Sequence, residues 1–267
     1  MEYPTSRFWL GPASELIKAG KVIQLKDPMS RWKIERLLCE REHQIFALEA
    51  RNDCPSYVSV KMQCSKDKEP TTKAFMRVFL QIPHKDTAFA PIKELAKHAR
   101  QSYLPRELEA FQLFSKDDSA SKCTPRLIGS LQVEQERDLL VPGGFLIYYV
   151  WEKVSGIRLG DYTGKARSFW DIQSKKEREL IREKFEESFN ALRDIGILPE
   201  FASANNLVWN LQTRTLYWIG FRDWSETGRE QPMTEEWYFV FDLMRVPSGG
   251  PTPLDRKYNG NKKEWIR

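Results

Sequence analysis

The sequence predicts an α+β protein, strand-rich in its first half and mainly helical after that. Three observations lead there. Short apolar runs separated by turn-prone or charged residues crowd the first half of the chain. A long stretch of helical period follows Ser174, and a hairpin-like pair of apolar runs comes after it. Strands grouped before helices indicate an α+β plan rather than an alternating one.

The strand candidates come first. They are "KVIQL" (21–25), "WKIERLL" (32–38), "HQIFALEA" (43–50), "YVSVKMQ" (57–63) and "FMRVFLQI" (75–82). "APIKELAKHARQ" (90–101) and "PRELEAFQLF" (105–114) read as helices, with Pro91 and Pro105 near their starts, where a missing N–H costs nothing. Two further strands are expected in "RLIGSLQV" (126–133) and "GFLIYYVWE" (144–152). Ser174 followed by Glu177 forms a capping-box signal, and Ile181, Phe185, Phe189, Leu192 and Ile195 recur at helical spacing until Gly196 stops the run. "NNLVW" and "TRTLYWIGF" then suggest a hairpin, and "TEEWYFVFDLMRV" (234–246) a last helix. The expected division is a β-rich part over 1–152, a helical part over 153–246 and a loose basic tail over 247–267.

Composition narrows the function classes. Hydrophobic residues make up 41% of the 267 positions and charged residues 30%, as in a globular chain with ample length for a core. The longest apolar run, Phe145 to Trp151, is too short to span a bilayer, and the N-terminus carries no secretory pattern, so a cytoplasmic protein is expected. Cys39, Cys54, Cys64 and Cys123 form no CxxC pair and the three histidines are scattered. Reduced thiols are expected, with neither metal nor other cofactor. The net charge of +5 favours an anionic partner such as a nucleotide, a phosphate or an RNA backbone, although a charge of this size also serves solubility alone.

Five stretches carry a further signal: "YVSVK" (57–61), "PRELEAF" (105–111), "YYVWEKVSG" (148–156), "PEFASANN" (199–206) and "LYWIGFRDW" (216–224). Their order and spacing resemble the protein-kinase-like superfamily between about Trp32 and Val246, especially its small-molecule phosphotransferase branch and a group of fungal kinase-like proteins. The resemblance implies a two-lobed kinase-like fold with a ligand cleft between the lobes. It implies that Lys61 is the nucleotide-binding lysine, that Glu107 is its helical partner (Glu109 in the other register), and that "YYVWEKVSG" is the hinge. Lys61, Glu107, Glu152 and Asp223 are the candidate substrate-binding residues.

The same resemblance exposes what is missing. Set against the family's H-G-D-L-x-x-x-N pattern, Pro199 stands at the His, Glu200 at the Gly, Phe201 at the catalytic Asp and Asn206 at the metal-binding Asn. Gly220 replaces the second metal-binding Asp, and Asp223 comes three positions late. "LLCEREHQIF" (37–46), read as the phosphate loop, holds no glycine, so Cβ atoms would keep backbone amides away from a triphosphate. Losing base and metal ligand together costs many powers of ten in phosphoryl transfer.

Two readings of function follow. In the first, the fold is repurposed for other chemistry, with Glu200, Ser203 and Asn206 as candidate catalytic residues. Glu200 would be a desolvated general base, Ser203 a nucleophile if a base is near, and Asn206 an orienting amide. An adenosine-binding cleft that has lost its triphosphate grip, in a basic chain, suits an aminoacyl-tRNA or another adenosine-containing anionic ligand. The activity expected on this reading is that of a fungal arginine-containing cyclodipeptide synthase, with a carboxylate recognising the guanidinium. The second reading is a catalytically inactive pseudokinase that binds a ligand or a partner. An active small-molecule kinase using Asp223 ranks last.

Overall fold

The computed structural model describes residues 6–26, 28–50, 54–200, 203–226, 233–246 and 265–266. The chain is α+β, as the sequence predicts, and divides into two compact units. The first comprises Met1–Pro105 with Leu127–Lys153, and the second Arg106–Arg126 with Val154–Arg267. Residues 106–126, placed by sequence reasoning within the β-rich part, therefore group with the mainly helical unit.

The first unit is built on one sheet. Its strands are β1 (Val22–Lys26), β2 (Met29–His43), β3 (Tyr57–Lys66), β4 (Glu69–Gln81), β5 (Leu127–Glu134) and β6 (Phe145–Glu152), in the order β1-β2-β3-β4-β6-β5 with every neighbouring pair antiparallel. The period of two along a strand sorts the side chains between faces. Val58, Val60 and Met62 of β3, Met76, Val78 and Leu80 of β4, and Tyr148 and Val150 of β6 join one core. Phe8, Trp9, Ala13 and Ile17, from two 3-10 turns at the N-terminus, complete it. Burying each large apolar side chain contributes roughly 1.5–3 kcal/mol. The Tyr148 hydroxyl, whose pKa burial raises, donates to the Leu16 carbonyl at 3.0 Å and ties the N-terminal turns to the sheet.

Two expectations for this unit are corrected. The stretch 43–50 is not a strand: β2 runs without a break through 37–43 to His43, absorbing register shifts at Ile34/Arg36 and Leu37/Cys39. Residues 37–43 of the expected phosphate loop therefore lie inside a strand. Past His43, side chains capture the backbone, with Ile45 N donating to Ser56 Oγ at 3.0 Å and Phe46 N to a Glu49 carboxylate oxygen at 2.9 Å. The helix expected over 90–101 is only α1 (Ile92–Ala96). Gln81 of β4 explains the early stop, donating to the His98 carbonyl at 2.7 Å and accepting from Arg100 N at 2.9 Å.

The second unit holds α2 (Arg106–Phe114), α3 (Arg167–Trp170), α4 (Lys175–Asp194) and α5 (Glu236–Val240). It also holds the short strands β7 (Ile157–Arg158), β8 (Ile197–Pro199), β9 (Leu207–Asn210), β10 (Thr215–Trp218) and β11 (Trp224–Glu226). These pair as β10-β9-β7 and β11-β8. Helix α4 begins where the sequence places it: Ser174 Oγ accepts from Glu177 N at 3.2 Å. Ile181, Phe185, Phe189 and Leu192 are buried, and Gly196 at φ +80° turns the chain out of the helix. Only half of the capping box forms, because the Glu177 carboxylate accepts from Trp209 Nε1 at 2.7 Å.

Phe185 anchors the core of this unit, with ring centroids 5.1 Å from Trp218 and 5.0 Å from Phe241. The expected hairpin is present as β9 and β10, and its turn is closed by Asn210 Oδ1, which accepts from Gln212 N and Thr213 N. The helix expected over 234–246 shrinks to α5. Asp242 at φ +54° ends it, with its carboxylate accepting from Ala166 N at 2.9 Å and pairing with Arg245. Of the expected loose tail, residues 247–264 and 267 lie outside the described residues. Trp265 is buried, and Ile266 forms a β-bridge with Arg245.

Candidate functional site

The loop between β8 and β9 carries the three candidate catalytic positions. β8 pairs with β11, and the pairing continues one step past Pro199, where Glu200 N donates to the Asp223 carbonyl at 2.9 Å. This places the candidate carboxylate residues Glu200 and Asp223 beside each other on adjacent segments. Glu200 is exposed, so the desolvated carboxylate expected from its apolar neighbours is corrected: this side chain is solvated. Phe201 lies outside the described residues. Asp223 is half-buried, with Arg222 Nε 3.4 Å from its carboxylate.

Ser203 caps the 3-10 turn Ala204–Asn206: its Oγ accepts from Asn205 N at 3.1 Å and its carbonyl accepts from Asn206 N at 2.9 Å. A nucleophilic serine needs a base, and the three histidines, His43, His84 and His98, all belong to the first unit. Within its own unit, then, Ser203 is a capping residue with no imidazole to activate it.

Asn206 is held by backbone and by a glycine contact. Its carbonyl accepts from Ile219 N at 2.8 Å. A Cβ on Gly220 would lie 2.4 Å from Asn206 Oδ1, and Gly220 sits at φ +92°, where side chains are rarely accommodated. On the other side of the turn, a Cβ on Gly160 would come 2.3 Å from Asn205 N. Two glycines thus let neighbouring chain press against the Asn205–Asn206 turn. Arg158, which sequence reasoning did not single out, donates to Asn205 Oδ1 at 3.1 Å. Desolvation lowers its pKa from the usual arginine range, although the side chain is exposed.

Helix α2 is fastened to the segment that carries Gly220 and Asp223. Trp224 Nε1 donates to the Arg106 carbonyl at 2.7 Å, the Arg106 guanidinium lies 4.6 Å from the Trp224 ring centroid, and Phe114 meets Phe221 at 4.5 Å. Glu107 sits in the first turn of this helix and is only 4% exposed.

The other candidates belong to the first unit, on the sheet face opposite the core described above. Lys61 Nζ lies 4.1 Å from the Phe75 ring centroid and 5.3 Å from that of Trp151, so it sits on an aromatic surface. Directly across the strands is Arg77, 4% exposed and 5.8 Å from the Trp151 ring. Tyr149 stacks on Trp151 at 5.4 Å. β4, rather than β3, is the neighbour of β6, the strand that resembles the hinge. Arg77 is the second residue that sequence reasoning missed. Its signal was present in "FMRVFLQI", a cation inside a mostly apolar run. Glu152 ends β6 half-buried, opposite Ala74.

Glu200, Ser203, Asn206, Asp223 and Glu107 are thus parts of one unit, and Lys61 and Glu152 of the other. Among the described residues, no group of three or more His, Cys, Asp or Glu side chains is placed to hold a metal ion, and no helix is long and apolar enough to cross a membrane.

No family model matches the sequence, and no curated protein matches it. Among solved structures the chain is similar to one described as "Structure of vaccinia related kinase 3", at 12% sequence identity and a TM-score of 0.36. The match covers 78% of this chain and 52% of that one, so the chain spans about half the length of that kinase structure. A likeness of this size adds nothing to the account of the site, which stands on its own geometry.

Proposed function

We propose that the chain is an enzyme on a kinase-like layout that no longer transfers phosphoryl groups. It joins aminoacyl groups carried by tRNA into a cyclic dipeptide that contains arginine. The observation that carries the first part is the contact of Asn206 with Gly220. A carboxylate at position 220 is disfavoured twice: its Cβ would overlap the Asn206 side-chain amide, which would have to swing away, and the position holds φ at +92°.

What supports the second part is chemistry. Cyclisation needs only an attacking amine, an ester carbonyl and a carboxylate to take the proton. The first amine displaces one tRNA ribose hydroxyl, and the second amine closes the ring and displaces the other. Asp223, half-buried beside Glu200, is the better placed of the two carboxylates to take a proton, while exposed Glu200 suits recognition of a guanidinium. The net charge of +5 suits a tRNA backbone. The binding of Ser203 into a cap and the exposure of Glu200 favour the second reading, a pseudokinase that binds without catalysis.

Reconstitution separates the two. With tRNA, synthetases, amino acids and ATP, cyclic dipeptides are expected only when this protein is present, and RNase abolishes them. Asp223→Asn lowers turnover by about 10²–10⁴-fold, the usual contribution of a general base. No product, together with no tRNA binding at low salt, would contradict this reading and favour the pseudokinase instead.

A further inference from the structure

The second unit holds a cavity of about 350 Å³ that shares no residue with the loop described above. It lies between β7, the chain just after β9 and the approach to α4. Ile157, Ile172, Leu211 and Trp209 form its apolar wall, and Glu177 and Gln212 are its polar groups. Its size falls in the range of about 300–1,000 Å³ usual for small-molecule sites. Gly156 fixes the narrow side: at φ +139°, a Cβ there would come 2.3 Å from the Trp209 carbonyl, so β7 and β9 approach closely only because position 156 is glycine.

Glu177 gives the cavity its chemistry. One carboxylate oxygen accepts from Trp209 Nε1 at 2.7 Å, which fixes the carboxylate against the wall, and its other oxygen has no hydrogen-bond partner among the described residues. Among the described residues it is the one charged side chain lining the cavity. The nearby cations Lys175 and Arg178 line a different hollow, with Arg182 and Trp265. Ile157 and Leu211 are 49% and 58% exposed, an unusual state for large aliphatic side chains at the rim of one pocket.

From this geometry we infer a binding site for a small organic cation, an apolar body ending in a single ammonium or guanidinium group. The body fills the space between Ile157, Ile172, Leu211 and the Trp209 ring. The cationic head donates to the open Glu177 oxygen and lies beside the Gln212 amide. A neutral analogue would fit the wall but lack the charge-assisted hydrogen bond, and an anionic one would meet the carboxylate directly.

Equilibrium dialysis of the whole chain with 2-(1-naphthyl)ethylammonium, and with the matching alcohol 2-(1-naphthyl)ethanol, tests this. The ammonium probe is expected to bind about tenfold more tightly than the alcohol, the factor that one charge-assisted hydrogen bond supplies. Glu177→Gln keeps the size and the acceptor for Trp209, so its melting temperature stays near wild type while the tenfold gap closes. Leu211→Arg, at an exposed position, lowers binding of the ammonium probe without unfolding the chain. Equal binding of the two probes, binding of neither, or a gap that persists in Glu177→Gln would each overturn the assignment.

Discussion

Glycine at position 220 is favoured by geometry on two counts. Gly220 holds φ at +92°, and a Cβ there would displace the Asn206 side-chain amide. Gly220→Asp is therefore expected to destabilise the fold by about 1–3 kcal/mol, the cost of holding a non-glycine residue in a sparsely populated conformation. It should bring no metal-dependent activity. A melting temperature equal to wild type would show that the loop accommodates the side chain after all.

The cysteines test burial in the same way. Desolvation pushes the Cys64 and Cys123 thiols up to about 12, whereas Cys54 is exposed and Cys39 half-buried. A thiol reagent at neutral pH should label Cys54 first and Cys39 more slowly in the native protein, and reach the other two only after denaturation. Rapid native labelling of Cys64 or Cys123 would contradict their placement. At this scale the sequence disclosed which residue types were missing but not which were buried. Arg77 and Lys61 are equally basic in sequence, and only the sheet order sets Arg77 beside β6.

Among the elements, legibility followed the strength of local signals. Helix α4 was readable because its cap, its apolar stripe and its glycine stop agree. Ser174→Ala should accordingly cost about 1 kcal/mol, measured by denaturant unfolding, since one N-terminal N–H loses its acceptor. No change would mean that water satisfies Glu177 N equally well. The strands β3, β4 and β6 were readable for the same reason, through apolar alternation or unbroken apolar runs.

The elements misread are those where a distant side chain decides. Gln81, reaching from β4, unwinds the chain after α1, and Asp242, bonded to Ala166, ends α5 early. Neither partner is adjacent in sequence, so helical period alone extended both helices too far. The long β2 reads as a shorter strand in the sequence for the opposite reason. Its charged run "CEREH" resembles a loop, yet it pairs with β3 throughout.

Across the molecule, composition and element order were enough for the α+β class, because packing a strand-rich and a helix-rich segment leaves few architectures. The candidate site was less legible. Its residues lie just after β8, in and just before the turn at 204–206, just before β11 and on α2, and sequence spacing does not report that Glu200 N bonds the Asp223 carbonyl or that Trp224 holds Arg106. The central proposal is that the chain does not carry out magnesium-assisted phosphoryl transfer. Isothermal titration of ATP into the protein, with and without magnesium, tests it most directly. The account predicts the same affinity, or the same lack of binding, under both conditions, because position 220 offers no carboxylate to bring a metal to the phosphates. A clear gain in ATP affinity on adding magnesium would contradict it.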